Sequence, residues 1–334
     1  QRENSPMALS IALSIALSIA LSIALSIPTT RSAQLHSAEH PSRAVLRACV
    51  LLLAFFCSPL LAQTPVDRTV PESVEVLPGL AFATHDELTL ELNLYRPQAA
   101  TEALPVIILV HGGGPADGSK ETFGFLATNL AERGFAAISI DYRGYLRTPF
   151  PATADDVAST VNWVAEYHDD YQLDADKIGV LGGSYGGLVA LYAATTSHDS
   201  QRWNGTKAID VVVGFSALTD IEDFAHVEGF GERLLGVTQE AEPGRWRDAS
   251  PINHVGQQSP PLLLIASDSD TTVPAEQSEK MASAYRELEL TVSYHLLQNA
   301  HHAFWNYTEW SDETLAIAAD FFWQHFAADQ ESGR

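Results

Sequence analysis

The chain has 334 residues and a formal net charge of −23 at neutral pH. An acidic excess of this size argues against binding to nucleic acid or anionic membranes, because like charges repel across the whole surface. It has only two cysteines, Cys49 and Cys57. Everything after residue 62 therefore has no disulfide, no thiol nucleophile and no cysteine metal ligand.

The first 62 residues read differently from the rest. Residues 1–42 hold the tetrapeptide Ala-Leu-Ser-Ile, repeated five times without variation from Ala8 to Ile27. Twenty residues are enough to span a bilayer, but every fourth one is serine, and the stretch is read as a low-complexity, non-native extension. Residues 43–62 resemble an export signal. Arg43 and Arg47 precede the apolar run Val50–Phe56, and Ser58-Pro-Leu-Leu-Ala62 leads to a cleavage point before Gln63. This predicts a periplasmic or extracellular protein with no stable membrane association after cleavage. Residues 63–334 are expected to form one α/β domain, large enough to bury a core without staples. They hold 15 basic and 40 acidic side chains, so the domain is still more acidic in proportion than the whole chain.

In chain order, Leu88–Tyr95 alternates apolar and polar residues, the pattern of a half-exposed antiparallel strand. Val106–Val110 is a continuous apolar run, as in a central parallel strand. A helix through Thr122–Arg133 is closed by Gly134, and Phe135–Ile140 is the next strand. A helix over about Ala154–Tyr167 precedes a strand at Ile178–Leu181. Further strands are expected at Ile209–Val213, Leu262–Ala266 and Thr291–Leu296, with helices near Pro274–Leu288 and Thr308–Phe326. This alternation predicts a mostly parallel sheet covered by helices on both faces. Residues 217–256 break the rhythm with about forty residues between strands, which is long for a plain connection. They are expected to form a short cap. Its aromatic residues Phe224, Phe230 and Trp246, together with Tyr145, are candidates to line a substrate pocket.

The chemistry gathers at predicted strand ends. Gly182-Gly-Ser-Tyr-Gly186 follows an apolar strand and opens a helix, the setting of a G-x-S-x-G nucleophile elbow with Ser184 at its tip. A serine hydroxyl needs a base and a group to orient that base, and the developing oxyanion needs N–H donors. His111-Gly-Gly-Gly114 follows the strand Val106–Val110. Gly113 or Gly114 is expected to donate there together with Tyr185, while Pro115 has no N–H. Asp270, just past Leu262–Ala266, is the candidate acid, with Asp268 as the alternative. A calcium loop at this place runs out of oxygen ligands. His302, after Thr291–Leu296, is the candidate base, with His301 as its neighbour. His111 more naturally shapes the donor loop. His85, His168, His198, His226, His254 and His295 lack partners by spacing.

These motifs resemble those of the α/β-hydrolase superfamily. More narrowly they are similar to a bacterial secreted esterase branch, hormone-sensitive-lipase-like and feruloyl/acetyl-xylan esterase-like. The resemblance rests on Leu94-Tyr-Arg-Pro97, Val110–Gly114, Ile140-Asp-Tyr-Arg143, Asp155-Asp-Val157, the elbow, Ala249-Ser-Pro251, Asp270–Pro274 and His302-Ala-Phe304. It implies an α/β-hydrolase fold and a serine ester hydrolase with Ser184, Asp270 and His302 as triad, acting on small-molecule or carbohydrate esters without cofactor or metal. The chain departs from the branch at Tyr185, where alanine is usual. Gly-Gly-Ser-Tyr-Gly-Gly is similar to the elbow of prolyl-oligopeptidase-type peptidases, so a peptidase or amidase is the alternative enzyme. A non-catalytic binding protein on the same scaffold is the alternative outside enzymes. Oligomeric state is not legible.

Overall fold

The computed structural model describes residues 63–334, apart from 114–118, 227–228 and 333–334, and without the side chains of 225–226 and 328–332. The repeat and the export-signal stretch lie outside the described residues. Gln63–Arg334 forms one contact unit.

Eight strands make one sheet: β1 (Val74–His85), β2 (Leu88–Pro97), β3 (Leu104–Val110), β4 (Ala136–Ile140), β5 (Leu173–Gly183), β6 (Val211–Phe215), β7 (Leu262–Ser267) and β8 (Val292–Leu297), in the order β1-β2-β4-β3-β5-β6-β7-β8. β1 and β2 pair antiparallel with each other, and β2 pairs antiparallel with β4. From β4 to β8 every pairing is parallel.

The apolar runs explain this sheet. In β3, Val106, Ile108 and Val110 face one core while Ile107 and Leu109 face the other. Side chains alternate across a strand, so a strand covered on both faces must be apolar throughout. Helices α1 (Gly124–Glu132) and α7 (Thr308–Ser332) cover one face. Helices α2 (Ala152–Tyr171), α3 (Tyr185–Thr196) and α6 (Ala275–Glu287) cover the other. All twelve residues of α3 are buried, as its lack of any polar face requires. Among the described residues, no helix is long and apolar enough to cross a membrane.

Two elements differ from the sequence reading. β2 is not half-exposed: Leu92, Asn93, Leu94 and Tyr95 are all buried. The reason is that both faces are covered. Leu92 and Leu94 join one core. Tyr95 joins the other and packs under the start of the helix Gly124–Glu132, where an added Cβ on Gly124 would stand 2.8 Å from the tyrosine hydroxyl. β1 itself shows little alternation (VEVLPGLAFATH), and its register shifts between Leu77 and Leu80, around Gly79, and again between Ala81 and Ala83. The 217–256 stretch folds as short helices, α4 (Phe230–Leu235) and α5 (Pro243–Asp248), with 3-10 turns at Glu222–His226 and Pro251–His254.

Candidate active site

Parallel strands bring their carboxyl ends to one edge, and α/β sheets bind ligands there. β3, β5, β7 and β8 each deliver a candidate residue to this edge.

β5 delivers Ser184. Its backbone sits at φ 56, ψ −122, a region disfavoured for any residue with a Cβ. The turn persists because its surroundings leave no alternative. The Ser184 N–H donates to the Phe215 carbonyl at 2.8 Å, and the Ser184 carbonyl accepts from Leu188. A Cβ on Gly182 would stand 2.1 Å from the Gly186 carbonyl oxygen, and one on Gly186 would stand 2.1 Å from that of Val110. The glycines of the elbow let strand and helix pass each other.

β7 delivers Asp270 and β8 delivers His302. The His302 Nδ1–H donates to Asp270 Oδ2 at 2.7 Å, since a carboxylate only accepts. Nε2 is then the bare ring nitrogen and accepts from the Ser184 hydroxyl at 2.9 Å. Asp270 Oδ1 accepts the N–H groups of Thr272 and Val273 at 2.8 and 2.9 Å. Burial alone would push its carboxyl up, but the bonds from His302 and Val273 outweigh burial and hold it below its usual range. Asp270 is thus an anion aimed at the imidazole.

Asp268, the alternative acid, is exposed and points elsewhere. It accepts the Asn299 N–H at 2.8 Å, and the Ser267 hydroxyl donates to the Ala300 carbonyl. Both bonds brace the turn that carries His302, in which Asn299 and Ala303 take left-handed backbone (φ 58 and 60). His301 is exposed and does not line the cavity.

β3 delivers the donor loop. His111 is fully buried and stacks on Tyr142, with ring centroids 4.3 Å apart. Its Nδ1 lies 2.9 Å from the Gly112 carbonyl oxygen, and the Tyr142 hydroxyl donates to the His111 carbonyl at 3.0 Å. Burial pushes the imidazole below its ordinary value, though the Gly112 bond and nearby Asp141 pull it up. It braces the loop and touches neither Ser184 nor His302. Gly113 and Tyr185 border the cavity beside Ser184. Gly114 lies outside the described residues.

The Tyr185 side chain does not face substrate. It is buried, and its hydroxyl lies 2.9 Å from Thr153 Oγ1. Thr153 already donates to the Arg143 carbonyl at 2.9 Å, so the tyrosine supplies the proton of the pair. Arg143 is itself held by Asp156, a fully buried carboxylate that accepts its N–H and Nε–H at 2.8 and 2.9 Å and faces His85 Nε2 at 3.1 Å. His85, which seemed partnerless from spacing, therefore has a buried carboxylate partner across 71 residues.

The cavity above Ser184 holds about 510 Å³, within the range of small-molecule sites. Tyr145, Phe224 and Phe230 line it as expected of them. Trp246 does not. Its ring is fully buried beneath the cap, packed on Gly231, with Nε1–H donating to the Val237 carbonyl at 3.1 Å. It belongs to the hydrophobic core on that face of the sheet rather than to the pocket. The cavity also takes in Phe123, Arg233 and Trp305, which motif reading had not assigned to it. Trp305, three residues after His302 with ring centroids 6.0 Å apart, could have been found by its place in the histidine turn. Phe123 gives no such signal. Among the described residues, no three His, Cys, Asp or Glu side chains cluster as a metal site.

A doubly covered, mostly parallel sheet with a serine, a histidine and an aspartate meeting beyond its strand ends defines an α/β-hydrolase. The BD-FAE family model matches residues 92–285, more than half of the chain, and the chain belongs to that family. It is similar to Esterase LipQ of Mycobacterium tuberculosis, 32% identical over 211 residues, 60% of this chain and 50% of LipQ. It is also similar to dipeptidyl aminopeptidase BIII of Pseudoxanthomonas mexicana, 27% identical over 274 residues, 74% of this chain and 36% of that protein. The chain spans about half the length of the curated relatives it matches. A solved truncated carbohydrate esterase from gut microbiota superposes with a TM-score of 0.67 at 23% identity, over 79% of this chain and 99% of that one, a likeness of fold.

Proposed function

We propose that this protein is a serine carboxylic-ester hydrolase acting on small or carbohydrate-linked acyl esters. The observation that carries the reading is the unbroken relay from Ser184 through His302 to Asp270, at 2.9 and 2.7 Å, opening into a largely apolar cavity. In this reading Ser184 Oγ attacks the ester carbonyl as His302 Nε2 takes its proton. Asp270 keeps the imidazole in the required tautomer and stabilises the imidazolium. The N–H groups of Gly113 and Tyr185 hold the oxyanion. His302 then returns the proton to the leaving alcohol and activates the water that hydrolyses the acyl-enzyme. Replacing Ser184 by alanine tests the proposal: turnover of a chromogenic short-chain acyl ester should fall by roughly 10⁴-fold or more, and retained turnover would end it.

A peptidase is the second reading, favoured by the Tyr185 elbow and by the similarity to dipeptidyl aminopeptidase BIII. An aminopeptidase must hold a substrate ammonium group, which calls for carboxylates. The described lining residues include none and instead include Arg233, which supports the ester. Comparing turnover of aminoacyl amides with that of acyl esters separates the two.

Export of the domain, with cleavage after Ala62, is part of the proposal and is supported by the basic and apolar pattern of Arg43–Ala62. N-terminal sequencing of protein recovered outside the cytoplasm checks it.

A further inference from the structure

In this acidic chain, basic side chains are readily neutralised. Lys120 sits against Glu91 and Asp141, Arg143 against Asp156, Arg202 against Asp248, and Lys280 against Asp220 and Asp223. Arg233 is different. Its side chain has no ion-pair or hydrogen-bond partner among the described residues, and it lines the cavity that contains Ser184. It is the one Lys or Arg among the described lining residues, which include no Asp or Glu.

Its position follows from α4. Phe230 and Arg233 are three residues apart and share a helix face. The Arg233 guanidinium folds back over Gly229, where an added Cβ would stand 2.7 Å from Nη1. An aromatic wall runs from the nucleophile to this helix: the Tyr185 and Tyr145 rings are 5.1 Å apart, and the Tyr145 and Phe230 rings 6.4 Å. Arg233 is exposed, so the positive charge stands at the solvent end of the cavity, on α4 rather than on the elbow that carries Ser184. A ligand carboxylate reaching it has to be carried at the far end of the acyl or alcohol part.

We propose that Arg233 makes this site selective for esters bearing a carboxylate remote from the scissile bond. The inference rests on the ester-hydrolase reading and deepens it to a substrate class. A planar guanidinium with free donors matches a carboxylate two bonds at a time. The surrounding acidic surface repels anions in general, so an exposed cation at the rim of the cavity, with no described carboxylate on it, decides which anion is retained. The carboxylate has two sources, an acyl chain ending in an acid or a uronic acid on the alcohol side.

The test measures kcat/KM for two matched pairs: 4-nitrophenyl hemisuccinate against 4-nitrophenyl butyrate, and acetylated galacturonic acid against acetylated galactose. The wild-type protein should favour the charged member of one pair, and the pair it favours identifies the source. That charged-to-neutral ratio should fall about five- to tenfold in Arg233→Gln, mainly through KM. It should be partly kept in Arg233→Lys, and it should shrink with added salt in the wild type. Arg286→Gln, which removes an exposed charge from α6 outside the cavity, should leave the ratio as it is. A preference for the neutral member in both pairs, or a ratio unmoved by both Arg233 substitutions, would overturn this inference and leave the ester reading standing. Failure of the wild type to hydrolyse any of the four esters would overturn both.

Discussion

The hydroxyls of Tyr185 and Thr153 lie 2.9 Å apart, both side chains buried. The bond joins the residue after the nucleophile to the start of α2, and so ties the elbow to that helix. Removing the Thr153 hydroxyl leaves the buried Tyr185 hydroxyl without its partner, and removing the Tyr185 hydroxyl leaves Thr153 only its bond to the Arg143 carbonyl; each loss costs about 1–3 kcal/mol. Tyr185→Phe and Thr153→Val should each lower the unfolding free energy in that range. The double variant should lose less than the sum, because no orphan remains between them. Additive losses in denaturant titration would mean that the bond does not form.

Glycines at the elbow differ sharply in the room they have. Gly186→Ala would press a methyl group to 2.1 Å from the Val110 carbonyl oxygen, part of a strand that cannot retreat. It should yield unfolded protein, or folded protein without turnover. Gly244 in α5 has nothing within 4 Å of an added Cβ, and Gly244→Ala should keep activity with stability equal to or slightly above the wild type. Expression and thermal melting of the two variants make the comparison.

The buried His111 predicts a pH dependence of stability. Burial holds its folded pKa below the ordinary 6.5. Below pH 6.5 the unfolded chain takes up a proton that the folded chain refuses until its own lower pKa is reached. This contribution to stability is therefore whole above 6.5 and is lost as pH falls through the window beneath. The melting temperature of the wild type should drop on acidification from pH 7 to 5, and the drop should be shallower in His111→Gln. Equal slopes would contradict the assignment.

Trp246 and Phe230 separate core from pocket. Trp246→Ala should cost about 3–5 kcal/mol, as loss of a buried aromatic does. Phe230 is only partly buried and faces the cavity. Phe230→Ala should chiefly change KM and acyl-chain preference, with a smaller effect on stability. The reverse pattern in melting and steady-state assays would place Trp246 in the pocket.

These contrasts show what the chain makes legible. Ser184, Asp270 and His302 can be read because each sits in a short motif directly after an apolar strand, and parallel strands bring such ends together whatever their sequence separation. Asp270 rather than Asp268 follows from the next helix, since Thr272 and Val273 turn their N–H groups onto it. The 217–256 stretch resists the same approach. Phe224, Phe230 and Trp246 look alike in sequence, and only the Gly231 surface against which Trp246 packs removes it from the pocket. Arg233 is a surface charge by either reading, and only the structure shows that it lines the cavity with no described carboxylate paired to it. β1 is obscured by its bulged pairing and its exposed edge. The contact between His85 and Asp156 spans 71 residues with no local signal at all.

In the proposed mechanism Ser184 is a nucleophile activated by His302. The most direct test is to treat Gln63–Arg334 with a fluorophosphonate and map the adduct by peptide mass spectrometry. A single stoichiometric adduct is expected on Ser184, forming much more slowly in His302→Ala. An unlabelled Ser184 in folded protein, or labelling at the same rate without His302, would contradict it.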